Sequence, residues 1–278
     1  MRAPLCSLVV VSFILATPVH GAVINVDFSA GTMPSSQSGL AAAPDAAGSA
    51  AYWNAIHRDG TKDKVEVIPL LDSAGQGSSV TLSLGVQGGY HSGGAGDQEI
   101  GGAGGAYSGL MSDYMFIDSG GSALVTTLSG TLSGLMASNY YDLYFYGQGD
   151  KFSGNVYKGQ NTLFTINGVS KQTGWDGVHG GDGLLVEGVE FVKFTVQADV
   201  QGKISFSWAN VVGGVNVPSD ADGFSTRYAA FNGMQIVHNV DVIPEPAAGV
   251  LGTVGALGLL RRRRQLSYCS SSSRIGPR

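Results

Sequence analysis

Short stretches of alternating or continuous apolar residues, each closed by Gly, Ser, Asp or Pro, recur along most of this chain. Residues 22–28 alternate, and 65–71 and 80–84 are rich in Val, Ile and Leu. Six further runs follow at 124–128, 140–146, 162–166, 189–196, 203–208 and 228–237. In Tyr141-Asp142-Leu143-Tyr144-Phe145-Tyr146 and in Lys203-Ile204-Ser205-Phe206-Ser207-Trp208, successive side chains suit opposite faces of a sheet with one side in a core. No long stretch has helical periodicity. About nine short strands without helices predict an all-β protein, an antiparallel β-sandwich or jelly roll.

Two apolar runs at the ends depart from this pattern. Arg2 is followed by an apolar stretch from Leu5 to Ala16 and then by the small residues Val19, Gly21 and Ala22. That order reads as a secretory signal peptide, residues 1–21, cut before Ala22. Its centre is shorter than the roughly 20 residues a spanning helix needs. Near the other end, Pro244-Glu245-Pro246 precedes an uncharged stretch from Ala247 to Leu260 and then Arg261, Arg262, Arg263 and Arg264. Prolines stop any incoming strand, the apolar stretch suits a bilayer, and the arginines hold its far end on the cytoplasmic side. Fourteen residues make a helix of about 21 Å, so the arginines must snorkel or the bilayer must thin for it to span.

This tripartite tail resembles the PEP-CTERM sorting signal of bacterial surface proteins. The resemblance implies an exosortase-type membrane protease as partner, acting at Pro244-Glu245-Pro246, and a cell-surface destination with transient membrane anchoring. An ordinary unprocessed C-terminal anchor is the alternative. The expected organisation is thus a signal peptide at 1–21, a sandwich at 22–239, the sorting signal at 240–264 and a polar tail at 265–278.

Composition narrows the body's chemistry. The chain of 278 residues carries 43 glycines and a net charge of -5. Residues 22–244 hold nine basic and twenty acidic side chains, a formal charge of −11. Such acidity works against nucleic acid as a partner, because phosphate binding needs clustered Lys and Arg. Both cysteines, Cys6 and Cys269, lie outside the body, so an exported protein would rely on its core alone, without disulfide or thiolate metal site.

Several phrases resemble galactose-binding-like β-sandwich domains. They are Ile24-Asn25-Val26-Asp27-Phe28, Ala43-Pro44-Asp45 with Tyr52-Trp53-Asn54, the 141–147 strand, Phe164-Thr165-Ile166-Asn167-Gly168 and Phe231-Asn232-Gly233-Met234-Gln235-Ile236-Val237. The resemblance implies a carbohydrate-binding-like body, with sugars held in loops at one end.

Candidate ligand residues follow from aromatic and polar side chains near glycines. Between Gly85 and Gly109, 11 of 25 residues are glycine. The stretch reads as a loop in which Tyr90 and His91 could offer a stacking face and a hydrogen bond. Trp175 with Asp176, His179 and Asp182 forms a second platform, and Trp53 a third aromatic candidate. Asp220-Ala221-Asp222-Gly223 is half of a calcium-loop pattern and reads as a plain turn or a Ca²⁺ site; no other cofactor is expected. The four histidines of the body stand far apart in sequence, without zinc-ligand spacing.

Asp118-Ser119-Gly120-Gly121 and Gly105-Ala106-Tyr107-Ser108-Gly109 each miss a serine-hydrolase motif by a residue or more. Glu99, Glu187 and Glu190 could pair as glycosidase carboxylates only if the fold brought two of them close. The expectation is therefore a non-catalytic surface protein contacting exopolysaccharide or matrix. A purely structural surface protein and a glycan-acting hydrolase are the alternatives.

Overall fold

A computed structural model describes residues 23–29, 41–43, 51–57, 64–91, 107–111, 113–149, 160–174, 184–213 and 226–239. In chain order the elements are β1 (Val23–Ser29), β2 (Trp53–His57), β3 (Lys64–Leu71), β4 (Gly77–Val86), β5 (Gly88–His91), α1 (Ser108–Met111) and β6 (Asp113–Asp118). There follow β7 (Thr127–Ser133), β8 (Tyr140–Tyr146), β9 (Thr162–Ile166), β10 (Val169–Gln172), β11 (Phe191–Gln197), β12 (Ile204–Asn210), β13 (Tyr228–Phe231) and β14 (Gly233–Asn239). The chain divides into two compact units, Met1–Asn239 and Val240–Arg278, and every described residue belongs to the first.

Two main sheets form the body. One has the order β11-β8-β14-β1-β2, the other β10-β9-β12-β7-β4-β3, and a three-stranded sheet runs β13-β6-β5. The pairs are antiparallel, except that β1 lies parallel to β2 with Asn25 opposite Trp53. A parallel neighbour needs a crossover rather than a hairpin, and residues 30–52 supply its length.

Alternation decides which side chains meet between the sheets. From the first sheet come Val26, Phe28, Leu143, Phe145, Met234 and Ile236; from the second come Leu82, Leu132, Phe164, Ile166, Phe206 and Trp208. Phe145 is the centre, its ring 5.0 Å from Phe164 and 4.9 Å from Phe206 across the gap. Phe231, at the end of β13, closes the same cluster, 4.7 Å from Phe28, 4.9 Å from Phe164 and 5.5 Å from Trp208. Trp208 is fully buried and donates its Nε1–H to the Gly85 carbonyl at 3.2 Å.

The outer face of the first sheet is also covered. Trp53, Tyr144, Tyr146 and Phe191 pack there with Ala43, Leu110 and Met111. Residues 41–43 are latched to the sheet by polar bonds: the Ala42 N–H donates to the Tyr146 hydroxyl at 2.8 Å, and the Ala43 N–H to Gln235 Oε1 at 3.1 Å. The Tyr146 hydroxyl in turn donates to Gln235 Oε1 at 2.5 Å, and Gln235 Nε2 donates to Asn25 Oδ1 at 2.9 Å. Burial pushes the Tyr146 phenol far above the usual tyrosine value, because the phenolate would be formed without water. A phenol held neutral in the fold stabilises it fully below the unfolded value of about 10, and that contribution is lost as pH rises beyond it. Thermal melts of the body should therefore fall steeply above about pH 10, and Tyr146→Phe should flatten that decline. Parallel alkaline slopes in the two proteins would refute the assignment.

Four sequence expectations are corrected. The run 124–128 is displaced: the strand is β7, beginning at Thr127, and Leu124 and Val125 are exposed. There the Leu124 N–H closes a turn on Gly121 and the Thr126 N–H goes to the Asn210 side chain, so neither joins a ladder. The run 228–237 is two strands, broken at Asn232, where the chain passes from the three-stranded sheet to the five-stranded one. The glycine-rich stretch is not all loop. Its first part completes β4 and forms β5, because Gly88 lies against the Phe116 ring so closely that a Cβ would stand 2.6 Å from it. The expected set also lacked β2, β6 and β10, two of them edge strands without clean alternation.

Candidate functional site

The strand register places the long and short connections at opposite ends of the sandwich. Val23, the first residue of β1, pairs with Val237 near the end of β14, so the body's chain starts and finishes at one end, side by side. At that end the connections are the short turns 72–76, 134–139, 167–168 and 198–203. From the opposite end leave 58–63, 92–112, 147–161, 173–190 and 211–227, while 30–52 begins there and ends at the first end, since β2 is parallel to β1.

A buried polar knot ties the roots of these long segments together. Asn232 is fully buried where β13 gives way to β14. Its Oδ1 accepts from the Gln148 N–H at 2.7 Å, while its Nδ2 donates to the carbonyls of Met111 at 3.2 Å and Asp113 at 3.1 Å. One side chain thus joins the roots of 92–112 and 147–161. Gln148 Nε2 then donates to the Gly174 carbonyl at 2.9 Å, which brings in the root of 173–190. Thr173 adds a hydroxyl bond to the Gly147 carbonyl, and its Oγ1 accepts from the Thr162 N–H at 2.9 Å. Glu190 is buried and accepts from the Val186 N–H at 2.8 Å, bracing the return of the same segment.

Three amide oxygens in this region, Gln148 Oε1, Gln160 Oε1 and Asn161 Oδ1, are buried without a hydrogen-bond partner among the described residues. Unpaired buried acceptors are uncommon in folded proteins. Chemically they can accept from hydroxyl or amide donors.

The sequence candidates fall on this frame unevenly. Tyr90 and His91 belong to β5, opposite Tyr114 and Asp113 in register, at the root of 92–112. Trp175, Asp176, His179 and Asp182 lie outside the described residues, within the segment rooted at Gly174 and Leu184. Asp220 and Asp222 are likewise outside them, within the segment rooted at Gly213 and Thr226, as are Pro244, Glu245, Pro246, Arg261, Arg262, Arg263 and Arg264. Trp53 stands apart: it is 2% exposed on the outer face of β2, so its ring is packed against protein. Among the described residues no three His, Cys, Asp or Glu side chains gather as a metal site. Sequence reasoning passed over Asn232 and Gln148 as individual residues, since Asn232 lay inside the single run 228–237 and Gln148 just beyond the run 140–146.

A concavity of about 500 Å³ opens between the edge strands β10 and β11. Its charges are satisfied within it. Lys171 Nζ contacts Glu187 Oε1 at 2.9 Å and donates to the Lys193 carbonyl at 2.5 Å, and Lys193 Nζ contacts Asp142 Oδ2 at 2.9 Å. These bonds close the open flank of the sandwich. Glu187 is thereby committed to a lysine and Glu190 to a backbone amide.

No protein-family model matches the chain, and no curated protein matches it. Among solved structures, the crystal structure of the plant receptor-like kinase ANX2 is similar at 11% identity with a TM-score of 0.39. The match covers 78% of this chain and 48% of that one, so the chain spans about half of that protein's length. Among the described residues no helix is long and apolar enough to cross a membrane.

Proposed function

We propose that this protein is exported and sorted to the cell surface, where its non-catalytic sandwich contacts exopolysaccharide or matrix. The observation that carries the reading is the fixed order of Pro244-Glu245-Pro246, the apolar stretch 247–260 and the four arginines Arg261 to Arg264. On this reading the membrane receives the C-terminal stretch and an exosortase-type protease processes it. The N-terminal apolar run is removed before Ala22, immediately ahead of β1. A body that is cysteine-free and acidic suits an extracytoplasmic setting, and within the β-sandwich class the galactose-binding-like or jelly-roll type is the finer assignment.

The arrangement of connections supports display. A tether at the Asn239 end leaves the long segments at the other, and the sugar-stacking candidates Tyr90, His91, Trp175, Asp176, His179 and Asp182 belong to segments rooted there. Aromatic faces beside Asp and His suit sugar rings, whose C–H faces stack while hydroxyls hydrogen-bond. Trp53, being packed, drops out of the stacking set.

Intact mass of the protein recovered from the surface of producing cells tests sorting. The expected product lacks residues 1–21 and ends near Pro246, and replacing Pro244 and Pro246 by alanine should leave the tail attached. The full unprocessed chain in the cytosol would refute the proposal. Binding is tested on a glycan array with residues 22–243: Trp175→Ala should lower retention on bound glycans at least about tenfold, the loss of one stacking contact of ~1.4 kcal/mol.

A further inference from the structure

We infer that the short-turn end of the sandwich is a lipid-contacting surface that rests in the headgroup layer of a zwitterionic bilayer. This inference rests on the proposal above that the membrane receives the C-terminal stretch, the anchored reading, and concerns the chain before that stretch is cut; it adds a face of the folded body itself. Among the described residues, eight large apolar side chains are exposed. Two of them, Met136 and Val200, lie within short turns, and two more, Tyr52 and Val169, stand beside the other two turns. Tyr52, 41% exposed, lays its ring against the 72–76 turn, 3.5 Å from where a Cβ on Gly75 would stand. Met136, 60% exposed, projects from 134–139. Val169, 57% exposed, follows 167–168, and Val200, 75% exposed, stands in 198–203. The other four are two sequence-local pairs on other connections, Leu124 with Val125 and Leu184 with Val186.

Turn tips are ordinarily the place for Gly, Asn, Asp and Ser, and a β-branched residue there has no local conformational reason. The turns carrying Met136 and Val200 are also locked together. The Leu135 N–H donates to Gly202 O at 3.0 Å, Ser138 N–H to Asp199 O at 3.2 Å, and Ala198 N–H to Asn139 O at 2.8 Å. Gly202, at φ 71°, makes this approach possible, since a Cβ there would stand 2.2 Å from the Leu135 carbonyl oxygen. Two apolar tips are therefore held side by side on rigid turns. The chain leaves the body at the same end, through Asn239 toward the apolar stretch 247–260.

Charge selects the kind of lipid. The acids of this end are used as turn acceptors: Asp72 Oδ1 takes the N–H groups of Ala74 and Gln76, and Asp199 Oδ1 those of Gln201 and Lys203. The body is acidic overall, and a basic patch of the sort that recruits anionic lipid is not present on these turns, where Lys203 is the one cation. Shallow insertion of apolar side chains into a neutral interface, with the Tyr52 ring at headgroup level, fits this set.

The test uses the full chain with Cys6 and Cys269 replaced by serine, reconstituted into phosphatidylcholine vesicles. An environment-sensitive fluorophore is placed by Val200→Cys or, as the far-end control, by Leu124→Cys; Leu124 is tied through Asn210 to the end where β9 begins. With headgroup-level spin-labelled lipid, the Val200 label should be quenched at least about twofold more than the Leu124 label. Equal labels on protein that floats with the vesicles would overturn the inference and leave the anchored reading standing. Protein that fails to float would overturn the anchored reading and the inference with it. A shifted but unquenched Val200 label that depends on protein concentration would assign the surface to a second copy of the chain, which also overturns it.

Discussion

Phe231→Ala is expected to cost the sandwich about 3–5 kcal/mol, the range for deleting a fully buried aromatic that its neighbours cannot collapse around. Phe231 belongs to β13 in the three-stranded sheet, yet its ring meets Phe28 and Phe145 from one main sheet and Phe164, Phe206 and Trp208 from the other. Removing it leaves a cavity bordered by rings that are themselves held by strands on three sides. Urea unfolding of residues 22–243 measures the loss. Phe231→Leu, which keeps much of the volume, should recover more than half of it. A cost below about 1 kcal/mol for the alanine variant would show that the third sheet is an appendage and not a part of the core.

The second large effect is expected at Asn232. Its side chain satisfies one donor and two acceptors at the roots of two different segments, all buried. Asn232→Ala strands the Gln148 N–H and deprives two carbonyls of a partner, at about 1–3 kcal/mol for each group left unsatisfied. A loss of about 3 kcal/mol or more is therefore expected. Asn232→Asp separates the contributions: it keeps the acceptor for Gln148 but turns a donor into a second acceptor facing the Met111 and Asp113 carbonyls, so it should rescue little. Amide hydrogen exchange should show protection lost first at the roots of 92–112, 147–161 and 173–190. An unfolding free energy equal to that of the parent would refute the knot.

Alternation made much of this fold legible. Tyr140–Tyr146 and Thr162–Ile166 match their predicted runs residue for residue. The strands that escaped are those where alternation carries no such information. β2 sits at a sheet edge beside a parallel neighbour, β10 at another edge has no buried residue, and β5 is half glycine. The split at Asn232 was hidden for a different reason: apolar residues resume at once beyond Asn232-Gly233, and the change of partner from β6 to β8 and β1 breaks the strand. The site was less legible than the fold. Tyr90 stood out as an aromatic among glycines, whereas Asn232 and Gln148 act through bonds to residues more than eighty positions away, which no local phrase encodes.

The placement of β14 has a mechanical consequence. It lies inside the five-stranded sheet, bonded along its length to β8 on one side and β1 on the other, and its last residue, Asn239, is the exit from the body. The bonds of both ladders run across the strand direction. Tension drawn from Asn239 against a load at the far end acts along β14, so both rows must give way together instead of opening one rung at a time.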